Sequence, residues 1–497
     1  MKKVDNDKAF FGQPRGLSIL FSTVMWERFS YYGMRAILLF YMYYAVEQGG
    51  LGMSQTLAAS IMSIYGALVY ISTILGGWLA DRVWGARKTT FIGGLLIMLG
   101  HICLSLPFGK PALYLSIVFI VLGSGLLNPS ASSMVGDLYD KNDNRRDAGF
   151  SLFVFGINVG AVLAPVLVPW ASTGFGLHLF GNQMNFHAGF SLAAIGMFIG
   201  LIHYSFAGHQ YLGDESLKPN DPLNEAEKKQ AVVRFVVGII ALIIVMVIMQ
   251  LTHTLNIENV INVITVVAII MPIVYFVMML TSDKVTKVEK SRVWAYIPLF
   301  IAAAIFWGIE ESGSTILALF AANQTRLSIA GFPLQAANFQ LLNPLFIMLL
   351  TPVFVALWSK WKNQPTSPSK FAWALVFAGL SYAWMAIPVQ LFGISAKVSP
   401  WWLVGSWFLV EIGEMLNSPI GLSVTTKLAP AAFKSQMMSL WYMADSVGQA
   451  VTAQTVKLYK PTTEVNYFLA VGVVSILFGV ILFFLSKRIH GLMQGIN

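Results

Sequence analysis

Charge is scarce in this chain: Asp, Glu, Lys and Arg make up 11% of its 497 residues, against roughly a quarter in an ordinary soluble domain. With 56% hydrophobic residues and a mean hydropathy of +0.68, that excludes a water-soluble globular fold and marks an all-α integral membrane protein. Cysteine is scarcer still. Cys103 stands alone in an apolar run, so an internal disulfide and a thiolate metal cluster are excluded, and the sulfur reads as a packed apolar thiol. Catalytic signatures are missing too: there is no Ser-His-Asp set, His-Glu-x-x-His pattern or phosphate loop, and the histidines (101, 178, 187, 203, 209, 253, 490) have no ligand spacing. No enzyme, bound metal or cofactor is expected. The short charged N-terminus and a first apolar run of roughly thirty residues with charges inside it do not suit a cleaved leader, so the first helix is expected to stay in the membrane.

What is present is a series of apolar runs of about twenty residues, the length a bilayer core requires. There are fourteen, centred near residues 31, 68, 97, 122, 158, 195, 242, 270, 307, 347, 381, 410, 445 and 475. With both termini in the cytoplasm, 25 of the 32 basic residues fall in or beside cytoplasmic segments, five outside (Lys110, Arg326, Lys397, Lys457, Lys460) and two within the membrane (Arg28, Arg35), as the positive-inside rule demands. The net charge of +9 therefore signals topology and attraction to anionic lipid, with no nucleic-acid partner. The polar segment 208–230 reads as a cytoplasmic linker between a six-helix bundle (1–207) and the rest. After it, 231–281 is a hairpin apolar on every side, expected at the lipid-facing periphery, and 282–497 supplies six further spans.

Three ionised side chains sit inside the first span, in Val24-Met25-Trp26-Glu27-Arg28-Phe29-Ser30-Tyr31-Tyr32-Gly33-Met34-Arg35. At 3.6 residues per turn Arg28, Tyr31, Tyr32 and Arg35 share one face with Glu27 beside it. A charge at mid-membrane costs roughly 2.5–3.5 kcal/mol even on lenient scales, so these groups should face a protein interior or a water-filled cavity. The stripe reads as half of a polar substrate site.

The second span ends in Gly76-Gly77-Trp78-Leu79-Ala80-Asp81-Arg82-Val83-Trp84-Gly85-Ala86-Arg87-Lys88, which resembles the loop motif between helices 2 and 3 of the major facilitator superfamily. Asp81 there can cap a helix end or pair with Arg82 or Arg87. The segment 136–150 is dense in both signs and reads as a solvated, salt-bridged surface. In the fifth span Gly156 and Gly160 give a close-packing face around Asn158, either interhelical glue or a site amide. The second half returns polar groups at corresponding depths: Glu310 and Glu311, about 100° apart on their helix; Asn343-Pro344, where proline should kink the helix; Glu411, Glu414 and Asn417; and Trp441 with Asp445 one turn on. Six acids against two bases within the membrane cannot all be ion-paired, and some should be protonated for part of a cycle.

Trp26 to Arg35, Phe155-Gly156-Ile157-Asn158, Phe306-Trp307-Gly308-Ile309-Glu310-Glu311 and Leu342-Asn343-Pro344-Leu345-Phe346 together resemble the proton-dependent oligopeptide transporter family, in particular the di- and tripeptide transporters of lactic acid bacteria. The resemblance covers essentially the whole chain. It implies a major facilitator fold of two six-helix bundles plus an inserted two-helix hairpin, and import of di- and tripeptides by proton symport with alternating access. It also implies a plasma-membrane protein that works as a monomer, with the proton gradient as its energy source. By position it implies Arg28 and Arg35 around the peptide carboxylate, Tyr31, Tyr32, Tyr70 and Trp441 on the pocket wall, Asn158 and Asn343 as amide contacts, Glu311 as partner of Arg35, and Glu414 as anchor of the peptide amine. Glu27 and Glu311 are the implied proton-coupling groups. Two positions depart from the family pattern: Val24 stands where it has a glutamate, and Asn128, before Pro129, where it has a lysine.

A dipeptide or tripeptide suits these residues physically. It is a zwitterion extending about 3.3–3.6 Å per residue, so cations on the first helix and Glu414 in the second half can hold its two ends. Alternatives are a carrier of a small anion such as nitrate, which the acids would repel; an exchanger whose coupling Val24 and Asn128 weaken; and a sensor that binds without transport.

Overall fold

A computed structural model describes residues 8–139, 145–174, 184–219, 221–329, 331–361 and 364–496. Its α-helices are α1 (Arg15–Tyr43), α2 (Gln55–Leu79), α3 (Ala86–Ser105), α4 (Gly109–Asp137), α5 (Arg146–Ser172), α6 (Phe186–Tyr211), α7 (Glu225–Leu251), α8 (Ile257–Thr281), α9 (Lys287–Glu310), α10 (Ile316–Gln324), α11 (Leu342–Lys360), α12 (Ser367–Phe392), α13 (Trp401–Leu428), α14 (Lys434–Thr455) and α15 (Glu464–Leu492). Helices dominate because a backbone in hydrocarbon must satisfy its own N–H and C=O groups. The sheet among the described residues is one short antiparallel ladder pairing Ser328 with Pro333 and Ile329 with Phe332.

Two of these helices form one crossing. A 3-10 turn at Glu311–Ser314 separates α9 from α10, so the described residues form fourteen helical units, as many as the apolar runs. Eleven spans are long and apolar enough to cross a membrane by length and composition alone. The crossings that fall short are α1, α13 and α14, the ones that carry Arg28 and Arg35, Glu411 and Glu414, and Asp445.

α1 packs against α5 and α6, α3 against α4 and α6, and α2 against α4, which ties the first six helices into one bundle. In the other half α12 packs on α13, α15 and α9, and α14 on α9 and α13. The halves meet chiefly through α2 against α14 and through α5 against α11 and the 3-10 turn Ala336–Leu341 that precedes it. Glycine permits these approaches: a Cβ on Gly66 of α2 would lie 1.7 Å from Gln449 Oε1 of α14, and one on Gly160 of α5 would lie 2.2 Å from the Met25 carbonyl of α1.

Hydrogen bonds between the halves collect where α1 ends and α2 begins. Ser60 Oγ donates to the Ala453 carbonyl at 2.8 Å, Asn338 Nδ2 to the Pro165 carbonyl at 2.8 Å, Gln335 Nε2 to the Pro169 carbonyl at 3.3 Å, and Asn323 Nδ2 to Gln55 Oε1 at 3.3 Å. The molecule is thus closed at that end.

α8 packs on α2, α9 and α14, whereas Met249 is the one buried residue of α7. At the root of α7 the chain is strapped to the turn after α2. Arg82 pairs with Asp221 and, at 2.8 Å, with Glu227, while the N–H groups of Asp221 and Leu223 donate to the carbonyls of Asp81 and Arg82. Arg82 therefore ties the linker to this turn. The helices also run into the polar segment: residues 208–211 belong to α6 and 225–230 to α7. Pro344 departs from expectation as well. It lies in the first turn of α11, where a missing N–H costs nothing, so it starts a helix where a kink was expected. Of the charged segment 136–150, residues 140–144 lie outside the described residues.

Candidate functional site

The site begins on α1, where helical periodicity does what the sequence predicts. Arg28 Nε lies 2.8 Å from Glu27 Oε2, an ion pair between neighbours on one helix. The Arg28 and Arg35 guanidinium carbons sit 5.4 and 5.9 Å from the centre of the Tyr31 ring. One phenol placed three residues after one arginine and four before the other thus contacts both cations through its negative π face.

Arg35 reaches across to the second half. Its Nη2 donates to Glu311 Oε2 and, at 2.8 Å, to Ser314 Oγ. The break between α9 and α10 makes this possible: Glu311 and Ser314 are the first and last residues of the 3-10 turn, which brings both side chains to one cation. The Tyr70 hydroxyl from α2 donates to Glu311 Oε1 at 3.5 Å. Removing either partner of such a buried pair leaves an uncompensated charge, at a cost of about 3–5 kcal/mol.

The other acids gather without a cation. Asn343 Nδ2 donates to Glu310 Oε1 at 2.5 Å and to Glu411 Oε1 at 2.9 Å, one amide joining two helices. Carboxylate oxygens of Glu310, Glu411 and Glu414 lie within 4.8 Å of one another, and Ser418 Oγ donates to Glu414 Oε1 at 3.4 Å. Among the described residues no Lys, Arg or His forms an ion pair with these three. A positive group placed among them would meet three acceptors at once. Between this cluster and Arg35 opens a cleft lined by Tyr32, Arg35, Glu310, Glu311, Ser314, Gln340, Asn343 and Trp407.

The structure therefore brings Tyr32, Arg35, Tyr70, Glu311 and Asn343 together, with Glu414 at the edge of the same acid cluster and Arg28 reaching it through Tyr31. Three residues sit differently from the sequence reading. Tyr31, 3% exposed, is packed between the arginines and is not among the residues lining the cleft; Tyr32 takes that place. Asn158 spends its amide on its own helix, donating to the Val154 carbonyl at 2.9 Å. Trp441 is buried against Phe371 and Gly421, where a Cβ would come within 2.0 Å of the indole. Val24 is buried in an apolar cluster with Leu127, Ala131 and Phe153, and Asn128 reaches towards Glu27.

Sequence reasoning passed over Ser314, Gln340 and Trp407 as lining residues. Gln340 Nε2 donates to the Gly313 carbonyl at 2.8 Å, and a Cβ on Gly313 would strike the Trp407 ring at 2.2 Å. Two signals were available: Trp407 precedes Glu411 by one helical turn and so shares its face, and Ser312-Gly313-Ser314 interrupts an otherwise apolar span.

The arrangement has close counterparts. The model of the POT family (PTR2), the proton-dependent oligopeptide transporters that the motifs resemble, matches residues 87–476. The di-/tripeptide transporter of Lactococcus lactis subsp. lactis (strain IL1403) is 46% identical over 499 residues, covering 99% of both chains. A crystal structure of a POT peptide transporter in complex with sulfate superposes with a TM-score of 0.93 at 51% identity, covering 98% of this chain and 97% of that one. A POT family transporter bound to 5-aminolevulinic acid gives a TM-score of 0.91 at 43% identity, covering 97% and 98%. On both the sequence match and the shared architecture, the chain belongs to the POT family.

Proposed function

We propose that the protein imports di- and tripeptides by proton symport with alternating access. We place it as a monomer in the plasma membrane with both termini in the cytoplasm. The observation that carries this reading is the ion pair of Arg35 and Glu311 across the cleft, with a cation-free acid cluster a short way beyond. A peptide carboxylate can take Arg35 in a bidentate pair. The peptide ammonium then meets Glu414, with Glu310 and Glu411 behind it, and the amphipathic faces of Tyr32 and Trp407 accept varied side chains.

Coupling follows from competition. Arg35 is held by Glu311 and Ser314 as long as no other anion competes for it. When the peptide carboxylate claims Arg35, Glu311 is left in a low-dielectric site without its cation, and protonation relieves the charge. Peptide and proton binding then favour each other reciprocally. Because the ligand touches both halves, its contacts change as they rock, which is what selects between outward- and inward-open states. Apart from those to Glu311 and Ser314 in the cleft, the bonds between the halves lie at the end that the distribution of basic residues places outside, so this arrangement has its external end shut. Relatives named as di-/tripeptide transporters and one holding a small amino acid support the same substrate class, and the acid cluster argues against nitrate.

Uptake of labelled dialanine into proteoliposomes, with and without an inward proton gradient, tests the reading. Accumulation above the external level only when the gradient is imposed is the expected result. Equilibration alone would reject symport, and preference for nitrate over peptide would reject the substrate.

A further inference from the structure

Asp445 takes no part in the scheme above, yet it is 3% exposed at the seam where α14 meets α2. Gln449 Nε2 donates to its Oδ1 at 2.8 Å, and the Tyr70 hydroxyl lies near enough to interact with it. That hydroxyl also stands 3.5 Å from Glu311 Oε1. A carboxyl, a phenol and a second carboxyl thus form a row across the seam. The charged and titratable groups facing Asp445 include Arg35 and Tyr31 from α1, Tyr70 from α2, Glu310 at the end of α9 and Glu311 in the turn after it. Arg35 is the sole cation in this set, and it is already committed to Glu311 and Ser314. A buried carboxylate with no cation of its own is far more stable as the neutral acid.

We infer that Asp445 is a second proton carrier that loads Glu311 through Tyr70. In the peptide-free protein Asp445 is the neutral acid and Glu311 the carboxylate. When the peptide carboxylate takes Arg35, the Tyr70 O–H bond breaks as its proton moves to Glu311 Oε1. The Asp445 O–H bond breaks as that proton re-forms the Tyr70 hydroxyl. One proton has moved from Asp445 to Glu311, no electrons have changed hands, and the Asp445 carboxylate is left held by Gln449 and Tyr70. A proton from the water on the open side then reloads it. The proposal rests on the transport reading above and adds a residue to it.

The test uses the full-length protein in proteoliposomes with labelled dialanine, measuring gradient-driven accumulation over a series of external pH values and, separately, gradient-free exchange. For Asp445→Asn, which keeps the amide-length side chain but cannot pass a proton, the ratio of accumulation to exchange should fall about tenfold and its pH dependence flatten. Tyr70→Phe should do the same, and Asp445→Glu should recover part of the ratio. An unchanged ratio and pH profile in Asp445→Asn would overturn the inference. So would accumulation and exchange falling together in Asp445→Asn and Asp445→Glu alike, since that marks a packing role. Wild-type protein that never accumulates peptide would overturn symport itself, a result distinguishable from failure of the variants alone.

Discussion

The two halves of the molecule treat buried charge in opposite ways. In the first half, α1 carries both intramembrane arginines, and each is paired: Arg28 with Glu27, its neighbour in sequence, and Arg35 with Glu311 and Ser314. In the second half, Glu310, Glu411 and Glu414 are joined by an amide and a hydroxyl, with no cation paired to them among the described residues. Separation of this kind leaves a positive wall and a negative wall with a cleft between them. A zwitterion is the ligand that complements both, and a proton is the smallest one that can settle the acidic side when the ligand leaves.

Breaking the positive wall should have the largest effect. Arg35→Ala removes the carboxylate partner and strands Glu311, so peptide affinity should fall about a hundredfold, on the order of 3 kcal/mol. Dialanine binding followed by tryptophan fluorescence measures it. If much of that loss is stranded charge, Arg35→Ala with Glu311→Gln should bind and exchange better than Arg35→Ala alone; a double variant no better than the single one would separate the two groups. Glu311→Gln alone should lose gradient-driven accumulation and keep exchange, read out in the same vesicles.

Breaking the negative wall should discriminate between ligands. Glu414→Ala should weaken dialanine by about tenfold or more and barely change an analogue without the amine, since only the former loses a charge partner. Equal losses would remove Glu414 from amine binding. A smaller effect is expected from returning charge to the first half. Val24→Glu with Asn128→Lys adds one charge of each sign, and if coupling is limited there, accumulation should rise about two- to threefold. Val24→Glu alone puts a carboxylate among Leu127, Ala131 and Phe153 and should lower the melting temperature. Smallest of all, Ile243→Ala on α7, 54% exposed, should shift stability by less than about 0.5 kcal/mol, because lipid replaces the lost methyl contacts.

How much of this was legible depended on range. The α1 stripe could be read from the chain because its geometry is local: residues three and four apart must share a face. Eleven apolar spans and the exposure of α7 followed from hydropathy alone. What escaped involved contacts between distant segments or a change of helix type. Asn343 joins Glu310 to Glu411 across 33 and 68 residues of sequence, and spacing along one helix says nothing about that. The break at Glu311 had a local cue in Ser312-Gly313-Ser314, but an interrupted helix competes poorly with a continuous apolar run when hydropathy is averaged over a turn or more. Trp441 was assigned to the pocket by resemblance, and a glycine one helix away decides where its indole goes. Arg82 pairs with two acids of the remote linker, which spacing within its own loop could not show.

The three spans that fail the apolarity requirement all carry charged groups of the site or its seam, and that bears on how the chain enters the membrane during synthesis. α1 leaves the ribosome before α2, α5 and the second half, so Glu27, Arg28 and Arg35 are not yet sheltered by them. Its partitioning into lipid is poor by itself, since each charge costs a few kcal/mol at the bilayer centre. It must therefore wait at the translocation machinery, or slip, until α2 to α6 arrive with the surfaces that cover it. A chain truncated after α1 should be extracted by alkaline carbonate, and one truncated after α6 should resist it. The residues that let the protein handle a charged solute thus delay its own anchoring.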